Sequence, residues 1–200
     1  MLAMKRMISM ALSAVLLAAV SPAQSQAPSS IKSKVAVDVT AAQIQSILKL
    51  DNPTQHADRL AKVVDAGPYN FSVNVQHRVK GQVTDDRGTM HSKIGEIYYV
   101  LDGSATLVTG GTMVNPQSVV YDAKLVTPEG GNSTGPGYAG IVKKPYVTRK
   151  IGPGDVVFIP PMTNHWFSSV EDHIDYLSFR VDPDHVLPAG YTFPTLKSAK

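Results

Sequence analysis

The chain has 200 residues, 43% hydrophobic and 18% charged, with 19 Lys and Arg against 16 Asp and Glu, six histidines and no cysteine. That length suits one ordinary domain, and no Lys/Arg cluster of the kind nucleic-acid binding needs is present. The missing thiols exclude thiolate catalysis, disulfide staples and Cys-ligated zinc, so any metal must be bound by His and carboxylate.

Residues 1–26 read as a secretory signal peptide. Lys5 and Arg6 form a basic start, Ile8 to Val20 is an apolar run of 13 residues, and Ser21 to Ala27 offers small-residue cleavage choices. The run is short of the roughly 20 residues that span a bilayer, so the mature chain is expected to be periplasmic or secreted, with no membrane partner after cleavage. Removal takes two of the 19 basic residues and no acidic one; 17 minus 16 leaves a mature net charge of +1. No nucleic-acid partner is expected.

Residues 27–66 read as a polar leader and a helix. Thr40-Ala-Ala-Gln43 is a capping box, in which the threonine oxygen accepts a free helix N–H and the glutamine reaches back. Ile44, Ile47 and Leu48 then repeat at helical spacing, predicting a helix of about three turns ended by Asp51-Asn52-Pro53. Asp58 to Asp65 fits helix or strand.

From Gly67 the period changes to two. Phe71, Val73, Val75, His77 and Val79 alternate with Ser72, Asn74, Gln76, Arg78 and Lys80, the pattern of a half-buried strand with His77 on its apolar, inward side. His91-Ser-Lys-Ile-Gly-Glu96 leads into a strand with Glu96, Tyr98 and Val100 on one face, closed by a tight turn at Asp102-Gly103. Ser104 to Thr109 is a further strand, ended by Gly110-Gly111, and Val119 to Val126 is a candidate for another. Residues 128–140 are almost all turn formers and read as a mobile loop with the makings of a lid. Val147 to Ile151, Val156 to Ile159, Trp166 to Val170 and Ile174 to Val181 resume the strands. Residues 183–200 form a proline-bearing tail draped over the surface. Many short strands with Gly/Pro turns behind one helix predict an all-β domain over residues 67–182, a barrel or a double-sheet jelly roll.

Two stretches carry possible chemistry. In the first, His91 is followed after four residues by Glu96 and after six more by Gly103; in the second, Gly154 is followed by Pro160 and His165. Together they resemble the paired motifs of the cupin family. The resemblance covers residues 67–181 and implies a cupin-type jelly-roll β-barrel with His91, Glu96 and His165 as metal ligands. The pattern departs at Thr89, where the family has the first His of a His-x-His pair, at Met162, where it has glycine, and at Ser169, where it has asparagine. Two ligand sets follow: a three-ligand site with open positions, or a fourth ligand supplied by His77. Nitrogen and oxygen donors accept a divalent transition metal, with Fe, Mn, Zn, Ni and Cu not distinguished.

Around these residues Tyr98 shares the phase of Glu96, so its phenol either donates to a bound oxygen or is core. Glu96 and Tyr98 are therefore the candidate catalytic groups. Arg78 and Arg180 are candidates to hold a substrate carboxylate, the alternative being a salt-bridged place at the barrel rim. Trp166 should point away from His165 and pack. His56, His173 and His185 sit among charged or turn residues and read as solvated. No Gly-x-Ser-x-Gly elbow or P-loop is present, and Asp85-Asp86 lies in a turn beside Arg87. The resemblance implies an exported metalloprotein acting on a small-molecule substrate, by oxygenase, isomerase or lyase chemistry. The alternatives are a non-catalytic cupin binding a sugar or organic acid, and a scaffold. It also implies pairing as a homodimer.

Overall fold

The structure is a computed structural model that describes residues 35–50, 55–81, 86–128 and 132–197. The signal-peptide reading of residues 1–26, the helix stop at Asp51-Asn52-Pro53, Asp85, and residues 129–131 of the glycine-rich loop lie outside these ranges. The chain divides into the units Met1–Ala36 and Val37–Lys200, and the fold set out below is that of the second.

The elements are α1 (Ala41–Leu48), β1 (Ala57–Asp65), β2 (Asn70–Val79), β3 (Arg87–His91), β4 (Gly95–Val119), β5 (Gly137–Ile151), β6 (Val156–Ile159), β7 (His165–Asp182) and α2 (Pro194–Lys197). All strand pairings are antiparallel. The strand order is β1-β2-β7-β3-β5-β4-β6, and β4 also pairs with β7. The pairings therefore run in a circuit, β7 to β3 to β5 to β4 and back to β7. Closure is thin at one place, where β3 and β7 share the single pair Thr89–His165. Side chains inside the circuit form the main core, among them Tyr98, Val100, Leu107, Ile159, Phe167, Ile174 and Tyr176. The all-β class with one short leading helix is what the sequence predicts.

The helix starts as its capping box dictates. Gln43 N donates to Thr40 Oγ1 at 3.3 Å and Thr40 N donates to Gln43 Oε1 at 2.9 Å. Its buried Ile47 packs on Ala61, Val73, Val75, Leu177, Phe193 and Leu196. This contact changes the reading of β2. The valine face packs outward against α1 and the chain's end, so Ser72, Asn74 and Gln76 are also buried, on the inward face. His77 shares the valine phase and so is not inward: a strand covered on both sides buries both of its phases.

One open reading closes and three expectations change. The Asp58 run is strand, within β1. Asp102-Gly103 does not end its strand; β4 continues to Val119 with register shifts there and at Gly110/Thr112. Gly103 has φ 72°, and a Cβ on it would meet the His173 carbonyl oxygen at 2.0 Å, so this is a glycine bulge against β7 rather than a hairpin end. Val119 to Val126 is not a strand: β4 ends at Val119, and a short 3-10 turn follows at Ala123–Leu125. The tail is anchored, with Phe193 and Leu196 buried and Thr192 bridging to Lys62 of β1.

Candidate metal centre

Three strands deliver the site. His91 is the last residue of β3, Glu96 the second of β4 and His165 the first of β7. Buried Ile94 pins the short link between His91 and Glu96. The second motif is drawn onto the first by its corner, where Met162 N donates to the His91 carbonyl at 2.8 Å. Met162 has φ 62°. It thus holds the left-handed conformation that glycine adopts without strain, at the position where the cupin pattern has glycine.

The three side chains converge. His91 Nε2 lies 3.4 Å and His165 Nε2 3.3 Å from the same Glu96 Oε2, and the imidazole centroids are 5.1 Å apart. All three ligating atoms lie within 4.8 Å of one another, and among the described residues they form the only such group of three or more. The fold is cupin-like.

Two of the three donors, Glu96 and His165, are held by partners behind them. Glu96 Oε1 accepts from Arg180 Nε at 2.8 Å and from Ser178 Oγ at 2.8 Å, leaving Oε2 turned to the histidines. Tyr98 donates to Oε2 at 3.2 Å. Burial acts to raise the Glu96 pKa, but the Arg180 charge and then the hydrogen bond and charge of His91 outweigh it, holding the carboxyl well below its ordinary range. His165 Nδ1 donates to the Thr163 carbonyl at 2.9 Å. Its Nε2 therefore faces Glu96 as a lone pair when the ring is neutral, and burial lowers the His165 pKa toward that form. An imidazole lone pair and a carboxylate oxygen at 3.3 Å repel unless a proton or cation lies between them. Two bonds of roughly 2.1 Å to one ion place donors about 3.0–3.4 Å apart, so the donor set fits a divalent transition metal.

Tyr98 is buried beside these groups. Burial and then the Glu96 charge push its pKa well above the usual phenol value, so it is an O–H donor at neutral pH. Arg180 does not stand at a rim. It is 1% exposed, with Nε on Glu96, Nη1 on the Ser133 carbonyl and Nη2 3.2 Å from Asp58 Oδ2. It holds Glu96, its charge faces two carboxylates, and it borders the cavity. Arg78 lines the same cavity. His77 stays apart from the trio: its Nδ1 meets Asp175 Oδ1 at 2.5 Å on the far face of β2. Trp166 packs with Val108 and Val142, its ring edge-on to Tyr146 at 5.3 Å. His56 and His185 are exposed, as their reading as solvated expects, His56 at the edge of the cavity, and His173 is half-buried.

The cavity measures about 360 Å³ and is walled by His91, Glu96, Tyr98 and His165 together with Asp58, Gln76, Arg78 and Tyr176. Asp58, Gln76 and Ser178 are the residues that sequence reasoning passes over. Their signal is the polar phase of β2, which pairs Gln76 with Asp58 on one side and Tyr176 on the other. Four polar residues alternating with valines mark a wet interior once a helix covers the valines.

No family model matches the chain, and no curated protein matches it. Similar solved structures include a protein from Bacillus halodurans (12% identity over 81% of this chain and 94% of that one, TM-score 0.41). A cupin protein from Bacteroides fragilis is 14% identical over 81% of this chain and 93% of that one, with TM-score 0.34. The DMSP lyase DddQ from Ruegeria pomeroyi is 17% identical over 61% of this chain, with TM-score 0.32, and the match spans only 42% of the lyase.

Proposed function

We propose that this chain is an exported metalloprotein that acts as an enzyme on a small organic molecule, with one divalent transition ion held by His91, Glu96 and His165. The observation that carries the reading is the approach of two imidazole nitrogens to one carboxylate oxygen, at 3.4 and 3.3 Å, with His165 Nδ1 already spent on a carbonyl. Three protein ligands leave coordination positions open, which is the arrangement of a catalytic rather than a structural site. When bound, the ion would polarise a substrate oxygen or, if redox-active, activate dioxygen.

The protein's own contribution is orientation. Arg180 and Ser178 fix Glu96 through Oε1, and Thr163 fixes the His165 tautomer. The Tyr98 O–H, 3.2 Å from Oε2, would stand beside a bound ion as a donor for a substrate oxygen. Export rests on the basic, apolar and small-residue pattern of residues 1–26, and the intact mass of the native protein checks it; retention of Met1 would contradict it.

Elemental analysis of the purified, metal-supplemented protein tests the centre. About one transition metal per chain is expected, with loss in His91→Ala. A preparation that holds none leaves non-catalytic binding as the reading. With metal present, oxygen uptake or product formation across small acids and phenols identifies an enzyme. Recovery of a bound ligand unchanged identifies a binder.

A further inference from the structure

Beside the metal ligands, the cavity wall contains a second group of polar side chains that the centre does not use. Gln76 is 2% exposed and borders the cavity. Both hydrogen bonds of its side chain end on the same atom: Tyr176 O–H and Arg78 Nη2 donate to Oε1 at 2.8 and 2.5 Å. Arg78 has no acceptor to offer, so the amide cannot turn over, and its NH2 is directed away from both partners with two N–H to give. Arg78 is fixed the same way, by neutral acceptors. Nη1 donates to the Ala57 and His77 carbonyls at 2.5 and 3.0 Å, and Nη2 to Gln76. These three bonds use three of its five N–H donors and cancel none of its charge. Its nearest carboxylate, Asp58, is 4.0 Å away and is held closer by Arg180 at 3.2 Å and by Asn74 Nδ2 at 2.7 Å.

This corner therefore presents the free N–H groups of Arg78 and Gln76, with Asp58 4.0 Å off as the carboxylate nearest the Arg78 charge. It is also next to the centre: the Tyr176 ring lies 4.6 Å from the Tyr98 ring, and Tyr98 touches Glu96. Resting on the proposed metal centre, we infer that the cavity takes a small organic acid, its carboxylate received by Arg78 and the Gln76 amide while another oxygen of the molecule faces the His91, Glu96 and His165 end. The charges of the wall agree. Arg78, Arg87 and Arg180 stand in the wall against Asp58 and Glu96, three cations to two carboxylates, so the wall carries no excess of negative charge against an anionic ligand. Arg78 keeps two N–H and the Gln76 amide two, all from planar groups, which suits the two in-plane oxygens of a carboxylate.

Calorimetric titration of the metal-loaded full chain with succinate, malate and benzoate tests this, with succinamide, glycerol and inorganic phosphate as comparisons. At least one carboxylate should bind, its amide about tenfold or more weaker. Arg78→Gln should lower that affinity by about tenfold or more at unchanged metal content, and Gln76→Ala, which leaves Arg78 in place, should lower it as well. Equal binding of acid and amide, preference for phosphate over every carboxylate, or unchanged affinity in both variants overturns the assignment. Metal analysis of the same samples keeps the two readings apart. Carboxylate binding without metal defeats the centre alone, and metal without carboxylate preference defeats this inference alone.

Discussion

At the scale of single residues, the site depends on a carboxylate kept charged in a buried place. Glu96 is 2% exposed, and its charge there is tolerable because Arg180, equally buried, donates to Oε1. Arg180→Met would leave both Glu96 and Asp58 facing a hydrocarbon. In metal-free protein, loss of one partner of such a pair should cost about 3–5 kcal/mol of stability, read as a lower urea midpoint at unchanged slope. Arg180→Met/Glu96→Leu should be less damaged than the single variant, since it removes the orphaned charge as well. A single variant no less stable than the double would mean that Glu96 is neutralised by some other group. The ligands themselves were legible in the sequence, because their spacing along two short stretches is local. The work of Arg180 was not. Its partners Asp58, Ser133 and Glu96 come from three distant segments, and nothing near Arg180 in the chain announces them.

At the scale of elements, the strand periods were readable while the direction of each face was not. β2 alternates as cleanly as a half-exposed strand, yet its valines pack in the cluster of α1 while Gln76 and Arg78 line the cavity, because two short helices cover what would otherwise be its wet side. Alternation reports that two faces differ, and only the partner decides which is inside. That is why His77 was placed at the centre and Gln76 overlooked. Glycines misled in the same way. Gly103 and Gly110 mark bulges within β4, and a bulge and a turn draw on the same residue for the same conformation. The proline corner between β6 and β7 offers a test at this scale. Met162 is 55% exposed and has φ 62°, so its side chain contributes little packing while its backbone is strained. Relief of a left-handed residue is worth roughly 1–2 kcal/mol, and added freedom of glycine in the unfolded chain takes back part of it. Met162→Gly should therefore stabilise by about 0.5–1 kcal/mol in chemical denaturation without altering metal content. A loss of stability would show that the methionine side chain is a packing element after all.

At the scale of the whole molecule, the candidate metal centre lies where the sheet closes most weakly. β4 and β7 share a long ladder, and β5 joins β3 to β4, but β3 and β7 meet at Thr89–His165 alone. His91 on β3, Glu96 on β4 and His165 on β7 stand around that thin join. An ion bound to all three would cross-link it with bonds that the backbone does not supply. The unfolded chain offers no such preformed trio, so binding energy becomes folding energy. At free metal about a hundredfold above its Kd the gain is about 2.7 kcal/mol, or roughly 5–10 °C in Tm for a domain of this size. Chelation of the loaded protein should reverse that shift, and His91→Ala should show none. Because the join is local, amide exchange should slow most in β3 and the start of β7 when metal is added, and least in β1. Protection spread evenly over the sheet would mean that the ion stabilises the domain without closing it at this join. An equal Tm shift in His91→Ala would place the bound ion somewhere other than these three residues.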